Sequence, residues 1–211
     1  MLTIYCLRHG TTLWNQQRRI QGRQDTHLLP SEVSRLQHLE LSPAWKQLCW
    51  YSSPLMRAQQ TAQALGINYQ ILTPWQEMDW GHWEGQTLAH LRQEHPEELQ
   101  YQEQRGIHLH PAQGESPYQV LQRITQWAAQ ESAQPSAHIP KVIVTHKGVI
   151  RPLLAAATGW LMLDKYPTRL NWQHVHGFTW SPTQGWQLKS LNIPLSHPPQ
   201  DSQKSVANEK K

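Results

Sequence analysis

The chain has 211 residues, enough for one generous α/β domain with a well-buried core. Its net charge is +4, but only 16% of residues are charged and the basic ones are scattered, which argues against nucleic acid and for a small anionic ligand. The longest apolar run, PLLAAATGWLML, is shorter than the roughly 20 residues a bilayer span needs, so no membrane partner is expected.

The opening run TIYCL is rich in β-branched and aromatic residues and predicts a buried strand that ends on Arg8, His9 and Gly10. A second short strand is predicted at LCWY. Cys6 and Cys49 both sit in such apolar runs without a CxxC pair, which predicts reduced core residues. In YSSPLMRAQQTAQAL, Ser53 is placed to cap a helix with Pro54 at its first position, and Leu55, Ala58, Ala62 and Leu65 give its apolar stripe. WQEMDWGHWEG then gathers Glu77, Asp79 and Glu84 among three tryptophans. Residues 87–110 read as polar helix interrupted at Pro96, either a lid or plain surface helix.

Ser116 and Gln119 have capping-box spacing before a stripe of Val120, Ile124, Trp127 and Ala128. KVIVT predicts a strand ending on His146, Lys147 and Gly148, with a helix to follow. NWQHVHGFTW and GWQLKSLNI predict two strands around the turn SPTQG. From Ser196 the chain is polar and aperiodic, so the expectation is a domain over residues 1–195 and a disordered tail over 196–211. No basic segment followed by an apolar one opens the chain, and a cytoplasmic setting is expected.

Alternating strands and helices predict a three-layer α/β/α sandwich with a mostly parallel central sheet. Ligands bind such sheets beyond the carboxyl ends of the strands. Three strands carry polar residues there: Arg8 and His9 on the first, Ser52 and then Arg57 after the second, His146 on the third. Clustered cations repel one another unless an anion joins them. Arginine offers a planar fork that fits phosphate oxygens, a neutral imidazole can attack phosphorus, and glycines at 10 and 148 let backbone N–H groups approach an anion. This edge reads as a phosphate pocket that still needs a proton source. Glu77, Asp79 and Glu84 are the candidates, since aromatic walls raise a carboxyl's pKa, and the pattern alone does not separate them.

The blocks LRHGTTLWN, QGRQD, SSPLMRAQQTA, EMDWGHWEG, GES and VTHKGVIR occur in the order seen in the histidine phosphatase superfamily, the phosphoglycerate mutase-like proteins, and the chain resembles that family over residues 3–160. The resemblance implies that His9 is the nucleophile, that Arg8, Arg57 and His146 complete the phosphate pocket, and that Glu77 is the acid and base. Asn15, Gln21 and Gly22 match the segment lining the pocket near the phosphate or leaving group; Gly148 joins the binding residues, and Lys147 either adds charge at the pocket mouth or points to solvent. WEG and GES look more like the phosphatases than the glycolytic mutases, with the α-ribazole phosphatase-like and broad-specificity group nearest in pattern. The chain departs from the family at SEVSRLQHLELSP, which is shortened, at Lys147, where small residues are common, and beyond residue 165.

The reaction implied is hydrolysis of a small phosphate ester through phosphohistidine; mutase-type transfer with the same residues and a silent phospho-ligand-binding module are the alternatives. No cofactor is expected, because Walker and dinucleotide glycine patterns are absent. No metal is expected either, since His108/His110 and His174/His176 lack a defined third ligand. The expected partner is a small phosphorylated metabolite, with a homodimer left open. Trp14, Trp80 and Trp83 form either an aromatic wall for the substrate or core packing.

Overall fold

In the computed structural model, which describes residues 1–199, the chain alternates strands and helices as their patterns require. In order they are β1 (Leu2–Arg8), α1 (Leu13–Gln16), α2 (Pro30–Gln37), α3 (Pro43–Lys46), β2 (Cys49–Ser52), α4 (Met56–Ala64), β3 (Gln70–Ile71), α5 (Leu88–Glu94), α6 (Pro96–Glu103), α7 (Pro117–Ser132), β4 (Lys141–Thr145), α8 (Lys147–Thr158), β5 (Val175–Ser181) and β6 (Gly185–Ile193). The six strands form one sheet in the order β3-β2-β4-β1-β5-β6. The first four pair in parallel, whereas β5 runs antiparallel to both β1 and β6.

The pleat distributes side chains to two cores. From β1, Ile4 and Cys6 join the core beneath α7 and α8, with Ile143 and Phe178. Tyr5 and Leu7 join the core beneath α2 and α4, with Val142 and Val144. The sheet is therefore the middle layer of three, as its sequence pattern predicts. Its near-continuous apolar strands reflect burial on both faces. β1 and β4 lie side by side, with Arg8 opposite Thr145, so His9 and His146 emerge together at one edge.

Several local expectations hold. Ser116 and Gln119 form a reciprocal capping box on α7. The polar stretch 87–110 breaks at Pro96 into α5 and α6, which wall a cavity at the carboxyl edge. Others need correction. Cys6 is buried, and burial pushes its thiol pKa up, but Cys49 is exposed because Trp50 takes the inward position at the start of β2. α4 begins at Met56 with Leu55 as its cap residue and Pro54 outside the helix; the Ser53 hydroxyl accepts from the Leu55 N–H at 3.3 Å and meets His146 Nε2 at 2.7 Å. β5 begins only at Val175, after the Asn171 side chain accepts from the Gln173 N–H and folds residues 171–174 into a turn. Most of the expected tail, residues 200–211, lies outside the described residues.

Candidate active site

Where β1 leaves the sheet, the His9 N–H donates to the Thr145 carbonyl at 2.9 Å, and the Gly10 N–H donates to Thr61 Oγ1 at 2.9 Å. Thr61 Oγ1 in turn donates to the Arg57 carbonyl at 2.7 Å, locking the loop to α4. His9 Nδ1 lies 2.7 Å from the Gly10 carbonyl. A carbonyl only accepts, so Nδ1 carries the proton and Nε2 keeps a lone pair. The His146 ring lies 5.2 Å from that of His9, with its Nε2 2.7 Å from Ser53 Oγ. Ser53 was assigned from sequence to helix capping; its place beside Ser52 at a strand end was the available signal for a site role.

Burial, then the charges of Arg8 and Arg57, holds the His9 pKa well below its ordinary value. His146 is depressed in the same way by burial, Arg57 and His9. Both rings are neutral at physiological pH. Arg57 is fully buried, and its guanidinium donates to the Gln24 and Gly22 carbonyls at 2.8 and 2.7 Å. Arg8 Nε, Arg57 Nε and His146 Nδ1 are buried without a partner among the described residues. Three such buried nitrogens, on residues that act on His9 through charge or ring contact, suit an anion beside the imidazole.

Beside His9 opens a cavity of about 780 Å³, lined also by Arg8, Asn15, Gln21, Gly22, Glu77, Lys147 and Gly148. Arg57 and His146 lie behind this lining, fully buried. Gln21 Oε1 accepts from Thr12 at 3.0 Å and Thr26 at 2.6 Å, which fixes the segment before Gly22. Gly22 has φ +54°, and a Cβ there would lie 1.8 Å from Glu84 Oε1, so only glycine fits. Lys147 is exposed, over the Trp172 ring.

The structure separates the three acids that the sequence left together. Glu77 is buried against the cavity, with Oε1 accepting from the Met78 N–H at 2.9 Å. Burial raises its pKa, offset in part by Arg57 and by the N–H groups of Met78 and Gly148. Asp79 pairs with Arg23 at 3.2 Å and accepts from the Gly81 N–H. Glu84 accepts from the Arg23 and Trp80 N–H groups at 2.7 and 3.2 Å, so both shape the loop and neither lines the cavity. Of the tryptophans, Trp80 and Trp83 stack on the cavity wall, whereas Trp14 lies against Gly85, off the lining. Sequence reasoning passed over Arg151, which lines the same cavity; its position four residues after Lys147 was the signal.

A model of the histidine phosphatase superfamily (branch 1) matches residues 4–194. The human 6-phosphofructo-2-kinase/fructose-2,6-bisphosphatase 1 is 27% identical over 154 residues, covering 72% of this chain and 32% of that protein. The chain thus spans about a third of the length of the curated relatives it matches. Among solved structures, a mycobacterial glucosyl-3-phosphoglycerate phosphatase in complex with VO3 superposes with TM-score 0.73 at 25% identity, over 92% of this chain and all of that one. The α-ribazole phosphatase of Shigella flexneri, at 23% identity and TM-score 0.69 over 90% and 96% of the two chains, shares the fold.

Proposed function

The chain belongs to the histidine phosphatase superfamily, branch 1, and from that premise we propose that it is a metal-independent phosphomonoesterase acting through phosphohistidine on His9. The observation that carries the reading is the placement of His9 and a buried Glu77 on one cavity, with the unpartnered buried nitrogens of Arg8, Arg57 and His146 around the imidazole.

In the first step the His9 Nε2 lone pair attacks phosphorus, and the P–O ester bond breaks as the N–P bond forms. Glu77, whose pKa burial raises, acts as the general acid and gives a proton to the departing oxygen. Arg8 and Arg57 hold the phosphoryl oxygens and supply the positive charge, and the neutral His146 ring adds a polar contact. In the second step the Glu77 carboxylate takes a proton from water, whose oxygen attacks phosphorus and frees His9 and inorganic phosphate. The reading carries with it a small phosphorylated metabolite as partner, a domain over residues 1–195 and a cytoplasmic setting. No helix of the described residues is long and apolar enough to cross a membrane.

Rapid mixing with a phosphomonoester, an acid quench and mass spectrometry test this directly. Acid-labile phosphate on the peptide containing LRHGTTLWN, followed by release of inorganic phosphate, is the expected result. Full turnover by His9→Ala overturns the mechanism, and return of the phosphoryl group to an organic acceptor instead of water overturns the hydrolase reading.

A further inference from the structure

The walls of the cavity differ in kind. One is apolar: the stacked pair Trp80 and Trp83 continues into Ile20, Leu88, Leu99 and Leu109. Another is carried by α8, where Lys147 and Arg151 both line the cavity. Four residues apart, they share one helix face at a spacing of about 5–6 Å. Among the described residues, no carboxylate lies within ion-pair distance of either. Each cation lies instead over an aromatic ring, Lys147 Nζ 5.4 Å from the Trp172 centroid and Arg151 Cζ 5.2 Å from that of Trp160.

Like charges on one wall repel, and the ammonium of Lys147 is held below its ordinary pKa by desolvation and then by Arg151 and Arg8, against a smaller opposing pull from Glu77. A cation–π contact orients such groups without neutralising them, so the wall keeps two positive charges for an anion to join. The phosphoryl group at His9 does not account for both, because Arg151 lies a full helical turn farther along α8 than Lys147.

We propose that the substrate is a phosphomonoester whose alcohol carries a second acidic group, held by Lys147 and Arg151, and an apolar or aromatic face that lies on the Trp80/Trp83 wall. This rests on the phosphatase reading and narrows it. The Arg151 guanidinium offers a fork that fits carboxylate or phosphate, while Lys147 adds a point charge. The apolar wall rewards an apolar face by removing it from water.

Matched substrates test the inference: benzyl phosphate, 4-carboxybenzyl phosphate, the bisphosphate of 1,4-benzenedimethanol, and 3-phosphoglycerate. The expected kcat/KM for the two benzyl esters with a second acid exceeds that for benzyl phosphate by about tenfold or more, the scale of one charge-assisted contact. Lys147→Gln and Arg151→Gln should each cut that preference several-fold, and Arg151→Lys should keep most of it. 3-Phosphoglycerate, acidic but without an apolar face, should be the poorer substrate of the acidic esters. If benzyl phosphate turns over through His9 with no preference for a second acid, or if the preference survives both glutamine variants, the inference falls and the phosphatase reading stands. Equal use of 3-phosphoglycerate overturns the apolar half. If no ester is hydrolysed and no phosphohistidine forms, both fall.

Discussion

The floor and the mouth of the cavity are built in opposite ways. At the floor His9, Arg57, Thr61, Thr145 and His146 are each at most 4% exposed, and they are joined by hydrogen bonds to the ends of β1 and β4 and the start of α4. Thr145 Oγ1 also donates to the Trp75 carbonyl at 2.8 Å, tying the segment that carries Glu77 to the same sheet edge. At the mouth, Leu88, Leu163 and Lys147 are exposed and come from α5, from the segment after α8 and from the first turn of α8. A buried polar network can change only by breaking the sheet edge that satisfies it, whereas an exposed rim can change one side chain at a time. On the proposed reading, the difference teaches that the chemistry belongs to the floor and substrate choice to the mouth.

The largest break in that comparison is at the floor. His9→Ala should lower kcat by about 10³-fold or more on every ester, because nothing else on the lining replaces the nucleophile; steady-state phosphate release checks it. Gly148→Ala comes next. Its Cβ would lie 2.2 Å from Glu77 Oε1, so the carboxyl has to move, and a displacement near 1 Å costs about 10²-fold. Kinetics on an alkyl phosphate, read beside a thermal melt that stays near wild type, separates this from unfolding.

Much of this was legible in the sequence, and the missing parts share a cause. Strands ending on Arg8-His9 and on His146, and the caps at Ser116, are local signals, so they read correctly. The choice among Glu77, Asp79 and Glu84 was not local. It depends on Arg23, more than fifty residues away in the chain, which occupies Asp79 through its guanidinium and Glu84 through its N–H. Ser53 likewise, besides accepting from the nearby Leu55 N–H, meets His146, a partner 93 residues distant. The shortened stretch after Pro30 still forms α2, because Leu36 is buried and the Glu32–Arg35 pair at 2.7 Å spans one turn.

A smaller effect concerns acid stability. His176 lies fully buried in β5, and burial lowers its pKa to about 4. The unfolded chain therefore binds a proton near pH 6.5 that the folded one refuses until pH 4, so this contribution is whole above pH 6.5 and shrinks as pH falls. At pH 5 the loss from this one group is of order 2 kcal/mol. His9 and His146 act in the same direction and Glu77, with its raised pKa, in the opposite one. Denaturant melts at pH 7.5 and 5 should show a drop that His176→Gln reduces; an unchanged drop refutes the assignment to His176. The smallest expected effect is none at all: with Arg8 and Arg57 supplying positive charge, EDTA should leave turnover intact, and loss restored by Mg²⁺ or Zn²⁺ would show that the floor has been misread.

The division of labour between His9 and Glu77 is tested most directly by the phosphorylation rate of Glu77→Ala on two leaving groups. General acid catalysis contributes about 10²–10⁴-fold where the departing oxygen is strongly basic, and little where it leaves unaided. Rapid-quench measurements should therefore show a loss in that range on benzyl phosphate and a far smaller one on p-nitrophenyl phosphate. Equal losses on both substrates, or the same leaving-group pattern in Glu84→Ala, would contradict the assignment of the proton to Glu77.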